Sequence, residues 1–134
     1  MLVDANVLLR LITKYPKDLY EGARSYLQRC EAEGRKLSVH PMHVAEVAFV
    51  LEGKIYGLTP KEAAQEILHL LSLEVLDVLD GAALLETLRR YPDSNLDFPE
   101  VFLAELARTL DTGIVSFDRN IRRMGIPMVV PAVE

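Results

Sequence analysis

Apolar segments of two lengths alternate along this chain, and that alternation restricts its fold more than any other feature. Short β-branched runs at residues 2–3, 37–39, 75–78, 114–117 and 128–130 read as strands. Longer segments with helical spacing lie between them. One runs from about Asp18 to the stop signal Gly34, and a second starts near Pro41 and ends before Gly57. A third opens with Thr59-Pro60-Lys61-Glu62, a capping box with proline at the first helical position. A fourth follows Asp80, a fifth runs from about Asp97 to Thr112-Gly113, and a short helical turn follows Asp118. Strands that alternate with helices need crossovers. The expected class is therefore α/β, with a mostly parallel central sheet of about five short strands and helices on both faces. The consecutive helices over residues 41–72 predict a helical hairpin.

With 134 residues, half of them apolar, the chain has enough material for one core without a disulfide or structural metal. No repeat, charge block or low-complexity stretch divides it, so a single domain over 1–134 is expected. The lone Cys30 has no partner for a disulfide, which suits a reducing, cytoplasmic setting. No signal-peptide pattern opens the chain, and no apolar run approaches the roughly 18 residues of a membrane span. The balance of 15 Lys+Arg against 20 Asp+Glu gives −5, which at face value argues against a nucleic-acid partner.

The placement of the acids points the other way. In a parallel sheet, ligands bind beyond the carboxyl ends of the strands. The first strand ends in Asp4-Ala5-Asn6, and the run at 114–117 ends in Asp118-Arg119-Asn120. A helix cap explains either aspartate alone. Two strands ending in aspartate make a shared role more economical, and Ser116 lies on the strand face that can orient Asp118. Glu46 sits within Val44-Ala45-Glu46-Val47-Ala48-Phe49-Val50-Leu51, a helix apolar around almost its whole circumference, where an ionised carboxylate needs a partner or a cation. The alternative is a single solvent-facing edge. Asp97 and Glu100 have the spacing of a capping box, a complete structural explanation that still leaves the pair facing the strand ends.

Together, Asp4, Glu46, Glu100 and Asp118, with Asp97 in reserve, are expected to converge on one crevice. Two unit charges about 4 Å apart repel by about 4 kcal/mol at an effective dielectric near 20, so such a cluster calls for a cation. The donors are all hard oxygen, which selects Mg²⁺ or Mn²⁺ over zinc or copper. A divalent ion in an open carboxylate site is suited to phosphodiester hydrolysis.

Four stretches carry a family resemblance. They are Leu2-Val3-Asp4-Ala5-Asn6-Val7-Leu8-Leu9-Arg10, Val44-Ala45-Glu46-Val47, Leu96-Asp97-Phe98-Pro99-Glu100-Val101, and Val115-Ser116-Phe117-Asp118-Arg119-Asn120. In order and spacing they resemble the PIN-domain ribonucleases, and among them the small VapC-type toxins. The resemblance spans nearly the whole chain. One position departs from it: the family's third acid is usually aspartate, and here it is Glu100, with Asp97 close by.

The resemblance implies a three-layer PIN-like fold and metal-dependent endonucleolytic cleavage of RNA, leaving a 5′-phosphate and a 3′-hydroxyl. It implies that Asp4, Glu100 and Asp118 hold Mg²⁺, that Glu46 assists, and that Asp97 can share the third acid's part. Asn6 and Ser116 would fix the carboxylates. It further implies a homodimer and a cognate antitoxin protein whose inserted segment blocks the crevice. Arg10, Arg119, Arg122 and Arg123 follow two of the acidic motifs as candidate RNA phosphate contacts. The tyrosines and phenylalanines are scattered, with no aromatic platform for bases. Two other readings are a non-catalytic PIN-shaped module that grips a basic peptide, and a solitary RNA-processing nuclease. A receiver-like phospho-acceptor domain is set aside, because only Asp4 follows the first strand and no lysine follows Lys61.

Overall fold

Strand β1 (Leu37–Val39) knits together the first half of the chain. Leu37 and Val39 point inward and are buried. Ser38, between them, turns its backbone toward the N-terminal segment: its N–H donates to the Met1 carbonyl at 2.9 Å, and its carbonyl accepts from Val3 N–H at 3.0 Å. Along the opposite edge, β2 (Leu76–Val78) runs parallel, with Leu37 opposite Leu76 and Val39 opposite Val78. The computed structural model describes residues 1–133 and divides into two compact units, Met1–Leu79 and the chain from Asp80 onward.

In the first unit, α1 (Ala5–Thr13) packs against α2 (Lys17–Ala32), α3 (Pro41–Glu52) and α4 (Pro60–Leu71). Leu8, Val44, Val47, Leu51 and Ile67 supply much of its buried surface. Helices α3 and α4 pack on each other as the expected hairpin. The capping box at Thr59 forms as the sequence predicts: Glu62 N–H donates to Thr59 Oγ1 at 3.1 Å, and Thr59 N–H donates to Glu62 Oε1 at 3.0 Å. Helix α2 stops at Gly34, which takes φ +68°. Arg35 N–H then reaches back to the Cys30 carbonyl and Gly34 N–H to that of Glu31, a Schellman closure.

The second unit contains α5 (Gly81–Arg90), a 3-10 turn (Tyr91–Asp93), α6 (Phe98–Thr109), β3 (Ile114–Val115), a 3-10 helix (Arg119–Met124) and β4 (Met128–Val129). Strands β3 and β4 are parallel, with Ile114 opposite Met128 and Val115 opposite Val129. Ala104, Ala107, Ile114, Ile121 and Ile126 form its apolar core. One charge is buried beside α5 and α6: Glu105, 2% exposed, lies with Oε1 3.3 Å from Arg90 Nε and Oε2 3.4 Å from Arg108 Nε.

Three expectations are corrected. Among the described residues the strands are only two or three residues long, and they form two separate parallel pairs rather than one five-stranded sheet. Leu2 contributes only an isolated bridge to Ser38. The reason is local: Asp4 starts α1 at once, and the Ser116 hydroxyl captures the Asp118 amide, turning the chain out of the ladder. Helix α6 ends at Thr109, short of Gly113, because Asp111 rather than a glycine takes the left-handed position (φ 52°). Its closure is again of the Schellman type, from Thr112 N–H to the Ala107 carbonyl and Asp111 N–H to that of Arg108. Gly113 serves a different purpose: a Cβ there would stand 2.8 Å from the Pro127 carbonyl oxygen. Finally, α3 is not buried around its circumference. Met42, Glu46, Phe49 and Val50 line an exposed face, with Phe49 81% exposed.

Candidate functional site

The end of β3 is fixed by a chain of short local hydrogen bonds. Ser116 N–H donates to the Val129 carbonyl at 3.0 Å, which holds the strand end against β4. Ser116 Oγ accepts from Asp118 N–H at 2.9 Å, and Asp118 Oδ1 accepts from Asn120 N–H at 2.9 Å. The serine therefore positions Asp118 through its backbone amide. Asp118 caps the 3-10 helix, as the bland reading of the sequence required.

The start of α6 supplies a second acid. Asp97 Oδ1 accepts from Glu100 N–H at 3.0 Å, and Glu100 Oε2 accepts from Asp97 N–H at 3.1 Å, so the capping box forms in full. Capping does not exhaust Glu100. Its side chain also hydrogen-bonds that of Asp118. That bond is the largest influence raising Glu100 above the ordinary carboxylate range, helped by partial burial and by the nearby charges of Asp97 and Asp118. The same bond holds Asp118 below its ordinary value, with the Asn120 amide as a further donor. The two opposite shifts have one cause, the interaction of the two carboxyls with each other. Like-charged carboxyls so close cannot both ionise freely.

This pair is what the structure brings together from the predicted set. Its chemistry fits a hard divalent cation, which would offset both charges with all-oxygen donors. Among the described residues, no three acids, histidines or cysteines stand as a ready metal-binding group.

In the first unit, Asp4 occupies the N-cap position of α1 and its backbone carbonyl accepts from Val7 and Leu8 N–H, yet its side chain makes no capping bond. Its exposed carboxylate has no local structural task. Glu46 is exposed as well, so the one-edge alternative describes it, not burial forcing a partner. Asn6 and Arg10 line a hollow with Val7, Asp18 and Leu19. Arg10 Nη1 donates to the Tyr15 carbonyl at 3.3 Å, a local use for a side chain expected to serve as a phosphate contact. Arg119, Arg122 and Arg123 are exposed on the 3-10 helix.

A PIN domain family model matches residues 1–127, which takes in all four acidic motifs. The chain belongs to the PIN domain family. No curated protein and no solved structure gives a match. PIN domains are generally nucleases that act on nucleic acid, usually with divalent metal ions. The PIN assignment gives the Glu100–Asp118 pair a chemical context that capping alone does not.

Two features escaped the sequence pattern. His40 is the N-cap of α3, its Nδ1 accepting from Met42 N–H at 3.0 Å, a role normally filled by Ser, Thr, Asp or Asn. Phe117, flanked by Ser116 and Asp118, is 67% exposed, although a strand-end phenylalanine ordinarily reads as core.

Proposed function

We propose that this PIN domain is a Mg²⁺-dependent endoribonuclease, with Mn²⁺ as a working substitute, that hydrolyses RNA to 5′-phosphate and 3′-hydroxyl products. The observation that carries this reading is the carboxyl pair Glu100–Asp118 at the end of β3, two acids that act on each other's ionisation and whose charges a divalent cation would offset.

Asp4, Glu100 and Asp118 would hold the ion, with Glu46 and Asp97 as further ligands. Glu100 is favoured over Asp97 as the third acid because its side chain is the one bonded to Asp118. A bound Mg²⁺ supplies Lewis acidity toward a phosphate oxygen and acidifies a water. The protein's own part is to keep the acids in place. Ser116 and Asn120 fix Asp118, Asp97 fixes Glu100 through the capping box, and Asn6 stands beside Asp4 in sequence as a further orienting group. Arg119, Arg122 and Arg123, with Arg10, serve as phosphate contacts.

The four motifs, similar to those of VapC-type toxins, support a toxin of a toxin–antitoxin pair, acting as a cytoplasmic homodimer and silenced by a cognate antitoxin protein. Among the described residues no helix is long and apolar enough to cross a membrane.

The test is metal-dependent cleavage of a mixed single-stranded RNA pool. Asp4→Asn and Asp118→Asn are expected to abolish cleavage and weaken Mn²⁺ binding in calorimetry while the fold persists. Variants that cleave as fast as the parent would sink the assignment. The toxin role has its own test, growth arrest on expression that a neighbouring small gene product relieves.

A further inference from the structure

We infer that His40 is a substrate-binding residue whose imidazole Nε2–H donates to a backbone phosphate oxygen of RNA held over Asp4. The inference rests on the nuclease reading and adds a neutral hydrogen-bond donor to its acids and arginines.

Backbone register puts His40 beside Asp4. Ser38 N–H donates to the Met1 carbonyl and Val3 N–H to that of Ser38, so Leu2 lies opposite Ser38 in parallel register. Two residues further along each segment stand Asp4 and His40, both still extended, with φ −74° and −92°. Neighbouring strands lie about 5 Å apart, which sets the scale of their separation. Side chains alternate along a strand. Val3 and Val39 point into the core, and Asp4 and His40 share the opposite, exposed face. Each residue then caps a helix, Asp4 that of α1 and His40 that of α3, and the two helices pack against each other. Glu46, the other predicted acid of this unit, lies on α3 about 9 Å further along its axis.

The ring's own hydrogen bond fixes what His40 offers. Nδ1 accepts from Met42 N–H at 3.0 Å, so the neutral imidazole carries its proton on Nε2. A protonated nitrogen has no lone pair for a metal, which removes His40 from the ligand set and leaves it a donor. Among the described residues nothing accepts from that donor. His40 makes no ion pair or hydrogen bond with Asp4, and its ring meets that of His43 edge-on, centroids 6.5 Å apart. Capping also stops the ring from turning, so Nε2–H is aimed before any ligand arrives.

A fixed donor beside a carboxylate with no structural task of its own calls for a ligand with acceptor oxygens. PIN domains act on nucleic acid, and each phosphodiester carries two non-bridging oxygens. One can accept from His40 while the other faces the cation that the acids hold. Phosphate is common to every nucleotide, so the contact fixes where the strand lies rather than which sequence is cut.

Exchanging the cap and the donor separately tests this assignment. His40→Asn keeps a capping oxygen and loses the Nε2–H, whereas His40→Gln carries an amide N–H to a similar reach and gives up the cap. His40→Asn should keep the parent melting temperature. It should weaken binding of a short single-stranded RNA, read by fluorescence anisotropy in EDTA at low salt, by about tenfold. With Mg²⁺ present it should raise KM by a similar factor and change kcat little. His40→Gln should do the reverse, lowering the melting temperature while recovering most of the affinity. Thr59→Ala, which removes a side-chain cap from α4, should leave RNA affinity unchanged. In the parent, nitrogen-15 NMR at mildly alkaline pH should show His40 in the Nε2–H form, with that resonance moving as RNA is added.

Parent-like affinity and KM for His40→Asn would overturn the inference, as would the Nδ1–H form of the ring. Weakened Mn²⁺ binding with unchanged RNA affinity would make His40 a support for the acids, and affinity that merely tracks melting temperature would make it a cap alone. Either result overturns it. These failures leave the nuclease reading standing as long as Asp118→Asn loses cleavage. A parent that neither binds nor cleaves RNA overturns both.

Discussion

Glu105 offers the sharpest test of how the second unit holds α6, the helix that carries Glu100. Its carboxylate is buried and faces two arginines whose side chains are half exposed. At 3.3 and 3.4 Å each pair has a gross attraction of about 5 kcal/mol at an effective dielectric near 20. Desolvating the carboxylate costs several kcal/mol, and water screens the arginines, so most of that attraction is offset. The net value of the clamp is small, but the cost of breaking it is large, because a buried charge is left stranded. Arg90→Met should cost about 1 kcal/mol, since Arg108 remains. Arg108→Met should cost about 2 kcal/mol, since the Arg108 Nη2 bond to the Met124 carbonyl at 2.8 Å is also lost. The double variant should lose about 3–5 kcal/mol, or roughly 12–20 °C in melting temperature for a domain of this size. Urea unfolding followed by circular dichroism measures these differences. The decisive step is a third substitution. Glu105→Gln should destabilise the parent but stabilise the double variant, because there it removes the stranded charge. A double variant within about 1 kcal/mol of the parent, or further weakened by Glu105→Gln, would refute the reasoning.

The remaining predictions concern the acid pair, one cap and two backbone positions. Glu100 is raised by its bond with Asp118 and by partial burial, so its contribution to stability is complete below its unfolded value near 4.5 and disappears as pH rises through the raised value. Glu100→Gln should therefore gain on the parent in melting temperature as pH rises from 4 towards neutrality while losing Mn²⁺ binding; a pH-independent difference would contradict the raised carboxyl. Thr59→Ala should cost about 1 kcal/mol in urea unfolding by removing half of the α4 capping box. Glu62 is lowered by its bonds to Thr59, so its contribution is present above its unfolded value near 4.5 and is lost as pH falls through the lowered one; the parent–variant gap should shrink in acid. Gly113→Ala should destabilise by about 1–3 kcal/mol, because the new Cβ meets a backbone oxygen that cannot retreat without moving β4. Asp111→Gly should stabilise by about 0.5–1 kcal/mol, since it relieves a left-handed residue at the α6 closure; no change in melting temperature would count against that strain.

Features set by chain-local chemistry were legible in the sequence. The Thr59 box, the Asp97 box, the stop at Gly34 and the cap at Asp118 each depend on residues within a few positions of one another, and each forms as its spacing demands. Lateral pairing was not legible in the same way. Strand runs at 114–117 and 128–130 looked long enough for a continuous ladder, yet the Ser116 hydroxyl competes for an amide and ends β3 after two residues. The environment of Glu46 was illegible for another reason. Around α3 the residues are apolar on every side, so hydrophobicity carries no phase information, and only the packed structure shows that Met42, Glu46, Phe49 and Val50 face out.

Net charge fails here for a related reason of scale. A charge of −5 summed over the chain describes its mean field, whereas a nucleic-acid strand feels charges within about a Debye length, roughly 8–10 Å. At the end of β3 the local tally is different. Asp97, Glu100 and Asp118 are brought together by the capping box and the carboxyl pair, while Arg119, Arg122 and Arg123 follow within a single short helix. A divalent ion held by these acids would offset their charge and leave the arginines of that helix to set the local sign. An acidic chain can thus approach a polyanion where a cation offsets clustered acids and, among the described residues, the neighbouring arginines make no ion pair with them.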